Sequence, residues 1–191
     1  DMYYDINAFN SISSDIGYRG RNTPSESSTL LEYTTNDTSL SYSYDSNIDS
    51  KQKTNNIDWN TTYIKTFEDN EDKELSISYQ IGARIKNRST NINELDNTVN
   101  LLNINDETNT EQTLQIDYTH PIGKHRIEAG GKVIYRDQKM DYNTLDSISL
   151  DYTFDPEVFN YSQNVNALYL SSNLQLINDY SLLAGFRYEN T

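Results

Sequence analysis

The chain has no cysteine, three prolines, seven glycines, two histidines and one tryptophan among its 191 residues. Without cysteine, no disulfide can form and no thiolate can hold a metal. No stretch approaches the roughly 20 apolar residues that carry a helix across a membrane. Apolar residues make up only 35% of the chain and mean hydropathy is −0.82, which is little for a soluble domain with a packed core. Basic residues are also few: 15 Lys and Arg stand against 29 Asp and Glu, for a net charge of −14. They are scattered, so the clustered phosphate neutralisation that nucleic-acid binding needs is missing, and no nucleic-acid partner is expected. There is no nucleophile-elbow sequence and no phosphate-cradling glycine loop. No enzymatic activity and no cofactor are therefore expected.

What the chain does have is tyrosine, 16 of them, and alternation. Leu75, Ile77, Tyr79, Ile81, Ala83 and Ile85 are apolar, while Glu74, Ser76, Ser78, Gln80, Gly82, Arg84 and Lys86 between them are polar, charged or glycine. A period of two places each set on its own face of a β-strand. The run is about twice the usual strand length of roughly 5–6 residues. A long strand with one greasy and one wet face suits the wall of a transmembrane β-barrel, which needs apolar residues only at alternate positions.

The pattern recurs. Ile12, Ile16 and Tyr18 share a face, as do Leu40, Tyr42 and Tyr44, and Ile57, Trp59, Thr61, Tyr63, Lys65 and Phe67. Leu114, Ile116 and Tyr118 alternate, then Ile127, Ala129, Val133 and Tyr135, then Tyr180, Leu182, Ala184, Phe186 and Tyr188. The segment 159–176 reads as a strand of undetermined register, because 167–170 is apolar on both faces. This predicts about ten antiparallel strands in an up-and-down order. Turns are expected at 7–10, 36–37, 68–72, 121–124 and 178–179. Loops are expected at 22–28, which holds Pro24, at 46–56, and over the long polar stretches 87–110 and 137–157. From about residue 50 onward, short connections alternate with long ones, the layout of a barrel with short turns on one rim and long external loops on the other. Phe67, Tyr118 and Tyr180 near short turns, with Tyr79, Tyr135 and Tyr188 further along, suggest two aromatic girdles.

Several phrases resemble a known family. They are Tyr63-Ile64-Lys65-Thr66-Phe67 with Glu74-Leu75-Ser76-Ile77-Ser78, Asp117-Tyr118-Thr119-His120-Pro121 with Ala129-Gly130-Gly131-Lys132, Tyr161-Ser162-Gln163-Asn164-Val165-Asn166-Ala167-Leu168-Tyr169, and the closing Ala184-Gly185-Phe186-Arg187-Tyr188-Glu189-Asn190-Thr191. In this order they resemble the outer-membrane β-barrel domain of TonB-dependent-receptor-like proteins of the Bacteroidetes type, over most of residues 57–191. The resemblance implies a barrel of about 22 strands, outer-membrane lipid around it, a plug domain, uptake powered through TonB, and room for a surface lipoprotein partner. Residues 1–191 would then be about half of the barrel wall. No plug and no signal peptide are recognisable here: Asp1-Met2-Tyr3-Tyr4 has neither a basic start nor an apolar core. The expectation is a fragment of a longer exported protein.

The candidate functional residues follow from alternation. Arg84, Lys86, Asp117, Arg126, Glu128, Lys132, Arg187 and Glu189 oppose the apolar set and are expected to face the lumen, where lining charges tune selectivity or pair across strands and hold the wall. Leu75, Ile77, Tyr79, Ile81, Ala83, Ile85, Tyr180, Leu182, Ala184, Phe186 and Tyr188 are expected to face lipid. His120 and His125 flank the Pro121 turn and read as solvated rim residues rather than metal ligands. The acidic run 68–74 could gather Ca²⁺ but reads first as a solvated turn. Function is expected to be nutrient transport across the outer membrane. The alternatives are a passive pore or structural barrel, and a soluble β-sandwich serving binding or adhesion.

Overall fold

A computed structural model describes residues 1–34, 41–94, 99–146, 155–176 and 180–191. Eight strands run in chain order: β1 (Met2–Asn7), β2 (Asn10–Thr34), β3 (Ser41–Phe67), β4 (Asn70–Glu94), β5 (Val99–Ile122), β6 (His125–Asp146), β7 (Asp155–Gln175) and β8 (Ser181–Asn190). Each pairs antiparallel with the next, so one sheet in the order β1 to β8 contains them all. Among the described residues β1 and β8 do not pair with each other, and the sheet is an open arc. A β-sandwich would need a second sheet against residues 75–85, and none is found among the described residues.

The strand count is lower than the expected ten because the strands are longer than expected. β3 has 27 residues and β4 has 25, against the roughly 9–11 that cross a bilayer. The expected loops 22–28 and 46–56 are ladder instead, with Asn22 opposite Lys53 and Ser28 opposite Asn47. Most of 87–110 and 137–157 is ladder too, with Asn87 opposite Asp106 and Asp141 opposite Val158. The reason is physical. Alternation reports burial of one face, whereas pairing needs only backbone groups in register, and a ladder wet on both faces carries no hydrophobic signature. Asn, Thr and Ser hold these extensions by cross-strand hydrogen bonds, such as Ser50–Thr90 at 3.1 Å, Asn87 to Asp106 at 2.7 Å and Thr144 to Asn103 at 3.0 Å. The expected turns at 36–37 and 178–179 lie outside the described residues.

Proline accounts for one correction in detail. Pro24 sits inside β2 opposite Lys51, but β1 pairs with β2 only as far as Ser14. Pro121 pairs with Arg126 beyond the last β4 partner, Thr119, and Pro156 pairs with Asn143 beyond the reach of β8, which starts at Asn166. Among the described residues all three prolines thus have a neighbour on one side only, the edge setting in which strands tolerate proline. The turn at 123–124 depends on Gly123, whose φ of 60° a side chain would disfavour. At the first turn the Asn7 side-chain oxygen accepts the Phe9 N–H at 3.0 Å and the Asn10 amide at 2.7 Å.

The register aligns the apolar positions of neighbouring strands into one continuous band. One hydrogen-bonding row passes through Tyr63, Ile77, Ile116, Gly131, Leu168 and Tyr188. Tyr63 lies four residues before Phe67, the short-turn end of the β3 band, whereas Tyr188 lies at the far end of the β8 band. The band therefore slides along the strands on going from β3 to β8, as it does where strands cross a level slab at a tilt.

The two faces also differ in burial. Ser46, Ser50, Thr113, Val165 and Ala167 are buried, and all lie on the face opposite the band. In the band, Leu168 is 65% exposed and Phe186 70%. A single sheet buries one face without a covering layer by curling toward it, so the polar face is the concave one.

Candidate functional site

The register of these strands decides which side chains share the concave face. Arg84, Lys86, Asp117, Arg126, Glu128, Lys132, Arg187 and Glu189 all fall on it. Leu75, Ile77, Tyr79, Ile81, Ala83, Ile85, Leu182, Ala184, Phe186 and Tyr188 all fall on the other. Tyr180 precedes β8, its carbonyl accepting the Leu176 N–H at 2.7 Å. For 159–176, whose register the sequence leaves open, Ala129 pairs with Leu170 and Gly131 with Leu168, which turns Val165, Ala167 and Tyr169 inward.

The inward charges form two groups. On β6, toward the short-turn rim, Arg126 meets Glu128 at 2.7 Å, and on β8 Arg187 meets Glu189 at 2.7 Å, each two residues along one strand. The Ser171 hydroxyl donates to Glu128 at 3.3 Å. Asp117 accepts from Gln115 at 2.8 Å, while its other oxygen is buried without a hydrogen-bond partner. That oxygen lies beside Gly130, over which the Tyr169 ring is laid so closely that a Cβ at 130 would overlap the ring. Toward the opposite rim, Lys86 meets Glu107 across strands at 3.3 Å. Burial draws the Glu107 carboxyl upward, but hydrogen bonds from Asn109 and Lys86 and the charges of Lys86 and Arg84 outweigh it. Its pKa is held below the ordinary value. Among the described residues Arg84 and Lys132 have no ion-pair partner.

Between the groups lies a cavity of about 530 Å³ spanning β3 to β7. Gly82 opens its floor, since a Cβ there would meet nothing within 4 Å. Asp58, Arg84, Glu111, Arg136 and Tyr161 line it. Arg136 donates to Glu111 at 2.6 Å and to Gln163 at 3.1 Å, linking β5, β6 and β7. Glu111 and Tyr161 escape the sequence reading, the first by lying beyond the recognised β5 alternation and the second because its strand had no register. Asp58 and Arg136 were findable, because each alternates with assigned apolar neighbours.

The other expected features resolve simply. His120 contacts the Tyr118 hydroxyl at 3.0 Å, and His125 accepts the Gln175 N–H at 3.1 Å. In the acidic turn Asp69 is paired with Lys73 at 3.3 Å, and among the described residues no three His, Asp or Glu side chains are grouped to hold a metal. Near the short-turn rim Phe67 meets Tyr118 edge-on at 6.3 Å between ring centroids, with Lys65 and Lys73 over the Phe67 ring. Further along, Trp59 meets Tyr79 at 5.8 Å.

An apolar diagonal band on the convex face, a polar concave face and an aromatic contact toward the short-turn margin are features of a membrane barrel wall. Residues 65–191, two thirds of the chain, match the outer membrane protein beta-barrel family, and the chain belongs to it. Its place is the cell outer membrane. Solved structures that resemble it include the translocator domain of autotransporter NalP from Neisseria meningitidis, at 12% identity and TM-score 0.36, covering 95% of this chain and 66% of that one. BauA, the ferric preacinetobactin receptor from Acinetobacter baumannii, matches at 10% identity and TM-score 0.44, covering 94% and 34%. The ferric citrate transporter FecA matches at 10% identity and TM-score 0.42, covering 96% and 35%. The chain thus spans about a third of the length of these two receptor and transporter structures and just under two thirds of the translocator domain. No curated protein sequence matches it.

Proposed function

We propose that this chain is part of the wall of a TonB-dependent-receptor-type transporter that takes up a nutrient through the outer membrane. The observation that carries the reading is the separation of faces: the apolar positions of 75–85 and 182–188 share the convex face, which in this reading meets lipid, and the charges from Arg84 to Glu189 share the concave face, which in this reading lines a water-filled lumen. An eight-stranded closed barrel has room inside for little more than its own side chains. In this reading the open arc of β1 to β8 is part of a wider wall. The four sequence phrases over residues 57–191 support the receptor type, and with it come a plug domain, TonB and a surface lipoprotein as partners. The wall itself performs no chemistry in this reading; it binds and admits.

Conductance of the intact protein in a planar bilayer tests the active-import part. A plugged, TonB-powered receptor is expected to stay closed at rest, with uptake in cells lost when TonB is deleted. A steady open channel, with uptake indifferent to TonB, would make it a passive pore.

A further inference from the structure

From the outer margin of the apolar band upward, the concave face carries five cations in a regular grid. β2 contributes Arg19 and Arg21, and β4 contributes Arg84, Lys86 and Arg88. Between them β3 contributes Asn56, Thr54 and Gln52, in register: Arg19–Asn56–Arg84, Arg21–Thr54–Lys86 and Thr23–Gln52–Arg88. Two columns of positive charge thus flank a column of neutral hydrogen-bonding side chains. The columns stand two strand spacings apart, about 10 Å, and successive cations within one are about 7 Å apart.

A cavity of about 450 Å³ opens in this grid between Arg19, Arg21 and Arg84, floored by Gln52, Thr54 and Asn56, with no carboxylate in its lining. Two of the five cations are engaged elsewhere, Lys86 with Glu107 at 3.3 Å and Arg88 with the Ser50 hydroxyl at 3.3 Å. Arg19, Arg21 and Arg84 form no hydrogen bond or ion pair among the described residues. The concentration runs against the composition: without these five cations the chain would stand at −19 rather than −14. Like charges set side by side across a sheet destabilise it. Guanidinium groups held in register around amide and hydroxyl groups match the geometry of carboxylate and phosphate oxygens.

We infer that this trough binds a solute bearing two or more carboxylate or phosphate groups. The inference rests on the proposed reading that the concave face lines the lumen. Starting at the outer margin of the band, the trough meets such a solute as it enters the membrane-spanning part of the wall. Phosphate could also come from a lipid headgroup, but the concave face is turned away from lipid, and the occupant is a dissolved anion.

The test is calorimetric titration of the full-length protein in a neutral detergent with tripolyphosphate and with propane-1,2,3-tricarboxylate. Saturable binding that weakens as salt rises is expected. The double variant Arg19→Gln/Arg84→Gln should weaken it by at least about tenfold, since each charged hydrogen bond lost matters at that scale. Arg19→Lys/Arg84→Lys should lose less, keeping charge without the planar fork. Lys51→Gln removes one charge but sits on the opposite face, opposite Pro24 and Ser89, and should bind like the unaltered protein. Retained circular dichroism excludes misfolding. No saturable binding of either probe, loss in Lys51→Gln equal to that in the arginine variant, or binding only to vesicles containing phosphatidic acid would each overturn the inference. If a cysteine at position 80 reacts with a water-soluble reagent while no probe binds, the lumen reading stands and the anion site falls; if that cysteine is unreactive, the lumen reading itself fails.

Discussion

Ile81→Arg is expected to destabilise the membrane-inserted protein by about 2–4 kcal/mol, the cost of a cation on the lipid face near mid-bilayer. Ile81 stands near the centre of the 75–85 run, between Trp59 and Gln112 on the neighbouring strands. The same substitution at Asn91, on the same face of β4 but above the band, should cost no more than about 1 kcal/mol. Urea unfolding from lipid vesicles measures both. The contrast matters more than either value. Both substitutions place an arginine on the same face of one strand, and they differ chiefly in depth along its tilt. Equal losses would mean that the band is not a lipid contact.

Gly130→Val should lower stability by about 1–3 kcal/mol, the range for overpacking a filled site. The Tyr169 ring lies directly over Gly130, and the unpaired Asp117 oxygen is 2.6 Å from where a Cβ would be. Valine therefore has to drive the ring away. Taken alone, valine is a better strand residue than glycine, by up to about 1 kcal/mol. Overpacking outweighs this preference while Tyr169 is present, and the preference prevails once the ring is gone and the Asp117 carboxylate swings into the space it leaves. Gly130→Val is thus expected to change sign, stabilising a Tyr169→Ala background. Equal effects of Gly130→Val in both backgrounds, measured by the same unfolding assay, would show that the ring does not pack on the glycine.

How much of this was legible in the sequence follows from what alternation measures. Where one face is apolar, as at 75–85 or 182–188, the strand, its faces and the inward position of Arg84, Asp117 or Lys132 can be read directly. Where both faces are wet, as at Asn87, Asn105 or Thr144, pairing left no periodic trace, and the extensions read as loops. Pro24 strengthened that error, because proline is tolerated wherever one side of the ladder is open, and the sequence does not say which side that is. The opposite failure occurred at 167–170, where small and large apolar residues occupy both faces. Ala167 packs inward while Leu168 points out, and only the pairing with β6 distinguishes them. The cation trough was hidden for the same reason as the extensions. Arg21 and Arg88 lie in stretches with no hydrophobic pattern, and Arg19 and Arg84 become neighbours of one asparagine only through register.

The most direct test of the account is to place single cysteines at Gln80 and Ile81 in the intact, membrane-inserted protein, which is clean for this chain because it has no cysteine of its own. Each is treated with a water-soluble thiol reagent, and separately carries a fluorophore exposed to a lipid-confined quencher. The account predicts reaction at position 80 without quenching, and quenching at position 81 without reaction. A cysteine at 81 that is protected from both reagents would mean that protein covers the band, and it would contradict the assignment of the convex face to lipid.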